Sequence, residues 1–254
     1  MRIVITREVS PSIGRCELAH LPREAINVER ASAQHRQYED SLATLGCQIH
    51  RLPAEPDLPD SVFVEDTAIV LEELAIITRP GAVSRRPETS SVAAALQTYR
   101  KLATVKAPGT LDGGDVLRVG KTLFIGLSGR SNPAGLEQVR ALVEPLGYTV
   151  REVGVKGCLH LKSAVTQVAP DILLINRAWV DASTFGSMCL IDVDPSEPFA
   201  ANALLLGNTV VFPAAYPRTR KRLEQYGISV RAVDVSELAK AEGGVTCCSV
   251  IFEV

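Results

Sequence analysis

At 254 residues, the chain is long enough for one large domain or two small ones, and no break in composition divides it. Hydrophobic residues make up 46% and charged residues 22%, which supplies a large core and excludes an intrinsically disordered chain. The 27 Lys and Arg against 29 Asp and Glu, a net charge of −2, exclude a general binder of nucleic acid or acidic membrane, which needs a basic excess.

Read in chain order, short β-branched runs alternate with longer amphipathic segments. The opening MRIVITRE has too brief an apolar run for a signal peptide, and RIVIT reads as a strand. A helix is expected over 29–45, capped by Asn27, then a hairpin in TAIVLEELAIIT from residue 67 and a helix over 87–100. DVLRVGKTLFIGL from residue 115 reads as a second hairpin, and Asn132-Pro133 opens a helix over 133–146 with a cap and an N1 proline. A helix over 178–186 comes next. Residues 198–217 carry no charge, but Asn202, Gly207, Asn208 and Pro213 interrupt them, so two buried strands explain them better than a membrane span. The helix over 216–226 is closed by Gly227, and its Arg218, Arg220, Lys221, Arg222 cluster beside Glu224 reads as a solvated face.

The unit of hairpin, loop, helix and strand recurs. The polar residues that open successive hairpins are Asp66, Asp112, His160, Asn202 and Cys247, spaced 46, 48, 42 and 45 residues apart. Such a period signals a supersecondary unit that cannot bury its apolar face alone. The last unit, CCSVIFEV, is incomplete, and RIVIT at the start can supply its missing strand and close a ring without free sheet edges. The expected fold is therefore α/β: a five-bladed, pseudo-symmetric propeller of ββαβ-like units, with residues 1–254 as a single catalytic domain. Equivalent positions in a ring converge on its axis, which brings carboxylates, a histidine, an asparagine and a cysteine together.

Cysteine, histidine and carboxylate at one site make a nucleophile, a proton carrier and an orienter. A free thiol of pKa near ~8.5 needs a cation to ionise at neutral pH, and no Lys or Arg adjoins Cys247 in the sequence. A cationic substrate can supply that charge. The cluster Asp60, Glu65 and Asp66 fits such a cation; its other reading is a solvated loop, which the apolar setting of VFVED disfavours. Cys247 and Cys248 are neighbours, so on a strand only one faces the axis, and Cys248 is assigned to packing. His160, between Leu159 and Leu161, would by itself read as a core histidine, while His20, His35 and His50 are expected on loop or helix surfaces. Six cysteines with no CxxC pair are expected as reduced thiols in the cytoplasm. No metal site is expected, since Cys16 with His20 lacks a partner pair.

At these residues the sequence resembles the dimethylarginine dimethylaminohydrolase family of the guanidine-modifying superfamily. The likeness covers nearly the whole chain through LPDSVFVED (58–66), ITRPGAVSRR (77–86), TLDGGDVL (110–117), GLSGRSN (126–132), LHLKS (159–163), AAN (200–202) and GGVTCCSV (243–250). It implies a five-bladed α/β propeller and cofactor-free hydrolysis of methylated arginine to citrulline. Cys247 would be the nucleophile, His160 the acid/base and Asp112 the carboxylate that orients it. Asp60, Glu65 and Asp66 would surround the guanidinium, Arg85 and Arg130 would hold the α-carboxylate, Leu18 would sit on a lid, and Ala241 would offer a backbone contact. The expected partner is a small guanidine, with no nucleic acid or membrane; the oligomer left open is a homodimer. The chain departs from the family pattern at Asp112, where some members have Glu, in the lid ELAHLPREAIN, which lacks a glycine some relatives have, and at Glu242, where Asp usually stands. A deiminase or amidinotransferase on arginine or another guanidine remains a rival at this stage. So does a binding ring of the same fold without catalysis.

Overall fold

The computed structural model describes residues 1–254, whose strands form five three-stranded sheets of one pattern. The first contains β1 (Arg2–Arg7) and β2 (Cys47–Leu52), linked by α1 (Val28–Thr44); the second has β3 (Ala68–Val70), β4 (Leu74–Ile77), α2 (Thr89–Leu96) and β5 (Lys101–Thr104). The third has β6 (Val116–Val119), β7 (Thr122–Leu127), α3 (Pro133–Val143) and β8 (Thr149–Gly154). The one-turn helix α4 (Leu161–Ala164) leads into β9 (Val165–Ala169), β10 (Ile172–Ile175) and β11 (Cys189–Asp192). The last full unit is β12 (Leu204–Leu206), β13 (Thr209–Pro213), α5 (Pro217–Gln225) and β14 (Ser229–Val233), after which α6 (Ser236–Ala239) leads to β15 (Val250–Glu253). Within each blade the hairpin is antiparallel and the third strand joins the second in parallel, as in β6–β7 and β7–β8.

The closure expected from the terminal strands is present. β15 pairs antiparallel with β1, in register from Arg2 opposite Glu253 to Ile5 opposite Val250. The central strand of each blade explains why the ring must close. Side chains alternate across a strand, and here both faces are apolar. Ile3 and Ile5 pack against Ile77 of the second blade, while Val4 packs against Val211 of the fifth. Likewise Leu123 and Ile125 face Ile76, whereas Phe124 faces Leu173 and Ile175; Leu174 faces Val210 and Phe212. The five cores are thus the five seams between blades. A lone unit would leave one apolar face in water, at roughly 25 cal/mol for each Å² left unburied.

Most local expectations hold. Asn27 Oδ1 accepts from Arg30 N at 2.8 Å and Asn132 Oδ1 from Gly135 N at 2.8 Å, so both caps are made. Gly227 ends α5 at φ 76°. Arg220 and Glu224 pair at 2.8 Å on the exposed face of α5. Four expectations need correction, the first being His50, expected on a loop or helix surface, which lies half-buried in β2. The helix over 178–186 is only a 3₁₀ turn, Ala182–Phe185, because Asp181 caps Ser183 N and Gly186 turns the chain at φ 64°. The helix over 87–100 ends at Leu96 and is entered through a 3₁₀ segment, Val83–Glu88, in which Pro87 lacks the amide an α-turn would use. His35, expected on a surface, is 2% exposed: it points inward from α1, with Nδ1 3.6 Å from the buried Glu39. No helix of the structure is long and apolar enough to cross a membrane.

Candidate active site

Of the residues that open the hairpins, Asp66, Asp112 and His160 come together, while Asn202 bonds Thr246, the neighbour of Cys247, whose hydroxyl donates to Glu65. Asp112 lies in extended backbone just before β6, its N–H bonded to Ser131 Oγ at 3.1 Å. It is 0% exposed; Oδ1 accepts from Gly81 N at 2.9 Å and Oδ2 is 3.0 Å from His160 Nε2. The shorter acid therefore reaches the imidazole. The other ring nitrogen, Nδ1, faces Asp66 Oδ1 at 3.8 Å. Ligand-capable atoms of Asp66, Asp112 and His160 all fall within 4.8 Å of one another, and an imidazolium is the natural counter-charge. Burial disfavours that charge, but Asp66, Asp115 and the Asp112 hydrogen bond outweigh it and push the His160 pKa up to about 9.

Asp66 and Glu65, the expected guanidinium acids, are buried in a short 3₁₀ turn and not on a solvated loop. Burial acts to raise the Asp66 pKa, but the His160 charge, the Arg85 fork at 2.6 Å and the Gly114 N–H at 2.9 Å hold it well below the usual carboxylate range. Glu65 accepts from Lys162 Nζ at 2.6 Å and Thr246 Oγ1 at 2.7 Å, and burial still raises its pKa. Asp60 Oδ2 accepts from Glu17 N at 3.0 Å, and its pKa too is raised by burial.

Cys247 and Cys248 lie in a turn before β15, not on a strand, so the alternation argument does not apply and burial alone distinguishes them. Cys248 is packed in the seam with Tyr38, while Cys247 is partly accessible and lines a cavity of about 190 Å³. A larger cavity of about 470 Å³ opens on the axis beyond Glu65 and Lys162 but does not include Cys247. The Gly243-Gly244 turn aims the thiol. A Cβ on Gly243 would lie 2.2 Å from the Phe63 ring and one on Gly244 2.3 Å from Asn202 Oδ1, and Gly244 N donates to Cys247 Sγ at 3.2 Å. Burial first, then Glu65 and Asp66, push the Cys247 pKa up to about 12. A thiol shifted in this direction favours its protonated form at neutral pH.

The remaining expected residues divide. Arg130 Nη1 is buried without a hydrogen-bond partner, 3.9 Å from Asp112 Oδ2. Arg85 is 4% exposed and largely occupied: Nε and Nη2 bond Glu88, Nη2 also bonds Phe63 O at 3.1 Å, and only one Nη1 hydrogen is unused. Leu18 is half-buried on a loop that packs on the first seam, and Ala241 is buried in the turn after α6.

Several site residues escaped the sequence reading. Asp115 binds Leu161 N at 2.9 Å and the hydroxyls of Ser128 and Ser131 at 2.6 Å each, and burial pushes its pKa up to about 6. The signal was a carboxylate inside the apolar run GGDVL. Lys162 stood only inside the LHLKS block, and Asn202, although expected on the axis, had no assigned contact; the fold shows Asn202 Nδ2 bonding Lys162 O at 3.1 Å and Thr246 Oγ1 at 3.0 Å. Gly114 is pressed directly against the imidazole. A Cβ there would fall 2.7 Å from both Asp66 Oδ1 and His160 Nδ1. Gly114→Ala is expected to lower kcat/KM by roughly 10–100-fold by displacing the ring, with circular dichroism unchanged. Unaltered kinetics in that variant would show that the imidazole has slack.

A family model described as "N,N dimethylarginine dimethylhydrolase, eukaryotic" matches residues 19–254. The N(G),N(G)-dimethylarginine dimethylaminohydrolase of Streptomyces coelicolor is 39% identical over 256 residues, covering 97% of this chain and 95% of its own. That of Pseudomonas aeruginosa is 38% identical over 225 residues, covering 88% and 89%. A solved structure of a Cys-to-Ser mutant of the Pseudomonas enzyme complexed with citrulline superposes with a TM-score of 0.94 at 34% identity, covering 98% of each chain. The fold, the seven sequence blocks in order and these likenesses agree: the chain belongs to the dimethylarginine dimethylaminohydrolase family.

Proposed function

We propose that residues 1–254 act as one catalytic unit that hydrolyses Nω-methylated arginine to citrulline and methylamine or dimethylamine. The carrying observation is geometric: the His160 imidazole lies 3.0 Å from Asp112 Oδ2 and 3.8 Å from Asp66 Oδ1, so acids flank the proton carrier at both ring nitrogens. Burial, then Glu65 and Asp66, push the Cys247 pKa up to about 12, and the flanking acids, against burial, push that of His160 up to about 9. A guanidinium placed against Asp60 and Asp66 offsets that negative field and favours the thiolate, so the site is armed by the cation it transforms.

As the guanidinium enters, the Cys247 proton is released to solvent, and the thiolate attacks the central guanidine carbon. The His160 imidazolium protonates the methylated nitrogen as its bond to carbon breaks, and an S-alkylthiouronium remains on Cys247. Neutral His160, held by Asp112, then takes a proton from water; hydroxide adds to the same carbon, and the thiolate leaves as citrulline forms. General acid/base help of this kind is worth roughly 10²–10⁴-fold. The unpartnered Arg130 Nη1 and the unused Arg85 hydrogen support a binding role toward the α-carboxylate. Leu18 is assigned to the lid, and a main-chain group of Ala241 to the amino acid end. The citrulline complex of the Pseudomonas relative supports the same product here. Six unpaired cysteines support a reducing, cytoplasmic setting.

Turnover of asymmetric dimethylarginine beside plain arginine tests the reading, with citrulline and released amine measured together. Citrulline with dimethylamine is expected from the methylated substrate. Citrulline with ammonia from arginine would move the substrate, and silence on both would remove the hydrolase assignment.

A further inference from the structure

The loop of residues 17–26, which carries Leu18, makes no backbone–backbone hydrogen bond. Its order comes from side chains that reach it from elsewhere. Glu242 makes the largest contribution: its carboxylate accepts from Ala19 N at 3.0 and 3.2 Å, His20 N at 2.6 Å and Leu21 N at 2.7 Å. Three successive amides converging on one anion form a strong charge-assisted contact. On the other side of Leu18, Glu17 N donates to Asp60 at 3.0 Å. Leu18 is thus suspended between a guanidinium-pocket acid and Glu242.

Two further observations point the same way. Glu242 is the one non-glycine residue with positive φ, 58°, in the turn directly after Ala241. A strained backbone persists where something over-determines it, and here the strain turns the carboxylate toward the loop. The held residues His20 and Leu21, together with Glu242 itself, line the 190 Å³ cavity that contains Cys247. The loop is therefore a wall of the reaction cavity, and Glu242 fastens it.

We propose that Glu242 is a positioning residue that holds the Ala19–Leu21 segment, and with it Leu18, closed over the Cys247 cavity. The kinetic part of this inference rests on the hydrolase reading; the structural part does not. Glu242→Gly is the cleanest deletion, since glycine adopts the same φ without strain and only the carboxylate is lost. Glu242→Gln keeps an acceptor oxygen and serves as the rescue.

Hydrogen exchange of the Ala19, His20 and Leu21 amides is expected to accelerate by roughly 10–100-fold in Glu242→Gly, with β1 and β7 amides unchanged. Tryptic cleavage after Arg23 should accelerate in parallel. For the methylated substrate, KM should rise about 10-fold or more with kcat within about 3-fold, and Glu242→Gln should recover most of the loss. Unchanged exchange in Glu242→Gly overturns the proposal. So does faster exchange with KM untouched, since the loop would then be held without serving the site. Absence of wild-type turnover would defeat the hydrolase reading alone, because the exchange measurement still reads the fastening.

Discussion

Cys247→Ser is expected to lower kcat by at least ~10⁴-fold, as removal of a nucleophile does elsewhere, while substrate binding persists. The reason lies in the field around the sulfur. Burial, Glu65 and Asp66 already push a thiol to about 12, and an alcohol in the same place starts from a still weaker acidity. The Gly244 N–H at 3.2 Å favours an anion there but cannot offset that difference. Citrulline release gives the rate, calorimetry the binding, and mass spectrometry of acid-quenched reactions the covalent adduct. The wild type should carry the adduct and the variant should not. Retained turnover in Cys247→Ser would remove Cys247 as the nucleophile.

His160→Asn is expected to lower kcat by roughly 10²–10⁴-fold, because the imidazolium held between Asp66 and Asp112 is the group assigned to protonate the departing amine. Its pH signature separates this from mere loss of packing. The imidazole must be charged at the first step, so wild-type activity should fall as pH rises through about 9, the value to which Asp66, Asp115 and Asp112 push it against burial. The variant should lose that alkaline limb and keep a flat, low rate. The same shift acts on stability. His160 has a folded pKa above its ordinary value of about 6.5, so its contribution is complete below that value and disappears as pH rises through about 9. Melting temperature should therefore decline across that window in the wild type and less in the variant. An alkaline limb that survives in His160→Asn would assign the titration to another group.

Much of the architecture is legible along the chain. Apolar runs such as RIVITR and LFIGL mark strands buried on both faces, Asn27 and Asn132 mark helix starts, and Gly207 in GNT, at φ 60°, marks a hairpin. These features depend on neighbours within a few residues, and so does the repeat that predicts ring closure. The reading failed where a turn was overlooked or a tertiary contact decides. Over 178–186 the Asp181 cap and the Gly186 turn leave only a 3₁₀ turn. His35 looks like a surface residue by composition yet is turned inward toward Glu39.

The candidate site divides in the same way. Residue types and their spacing were enough to single out Cys247, His160, Asp112 and the acids near residue 65. What they could not show is which group faces which. Arg85 looked like an open carboxylate clamp and proves to be largely engaged by Asp66 and Glu88. Glu242 stood out only as a departure from the family pattern beside the lid contacts, and its carboxylate accepts from a loop more than 200 residues away in the chain. By itself the sequence determined the unit, its fivefold repetition and the chemical identity of the axial residues, because period, turn and cap are short-range properties. Only the tertiary structure decided the charge on His160, the neutrality of Cys247 and the fastening of the loop. Desolvation and Coulomb interaction depend on distances of a few ångströms between atoms that the chain brings together from different blades.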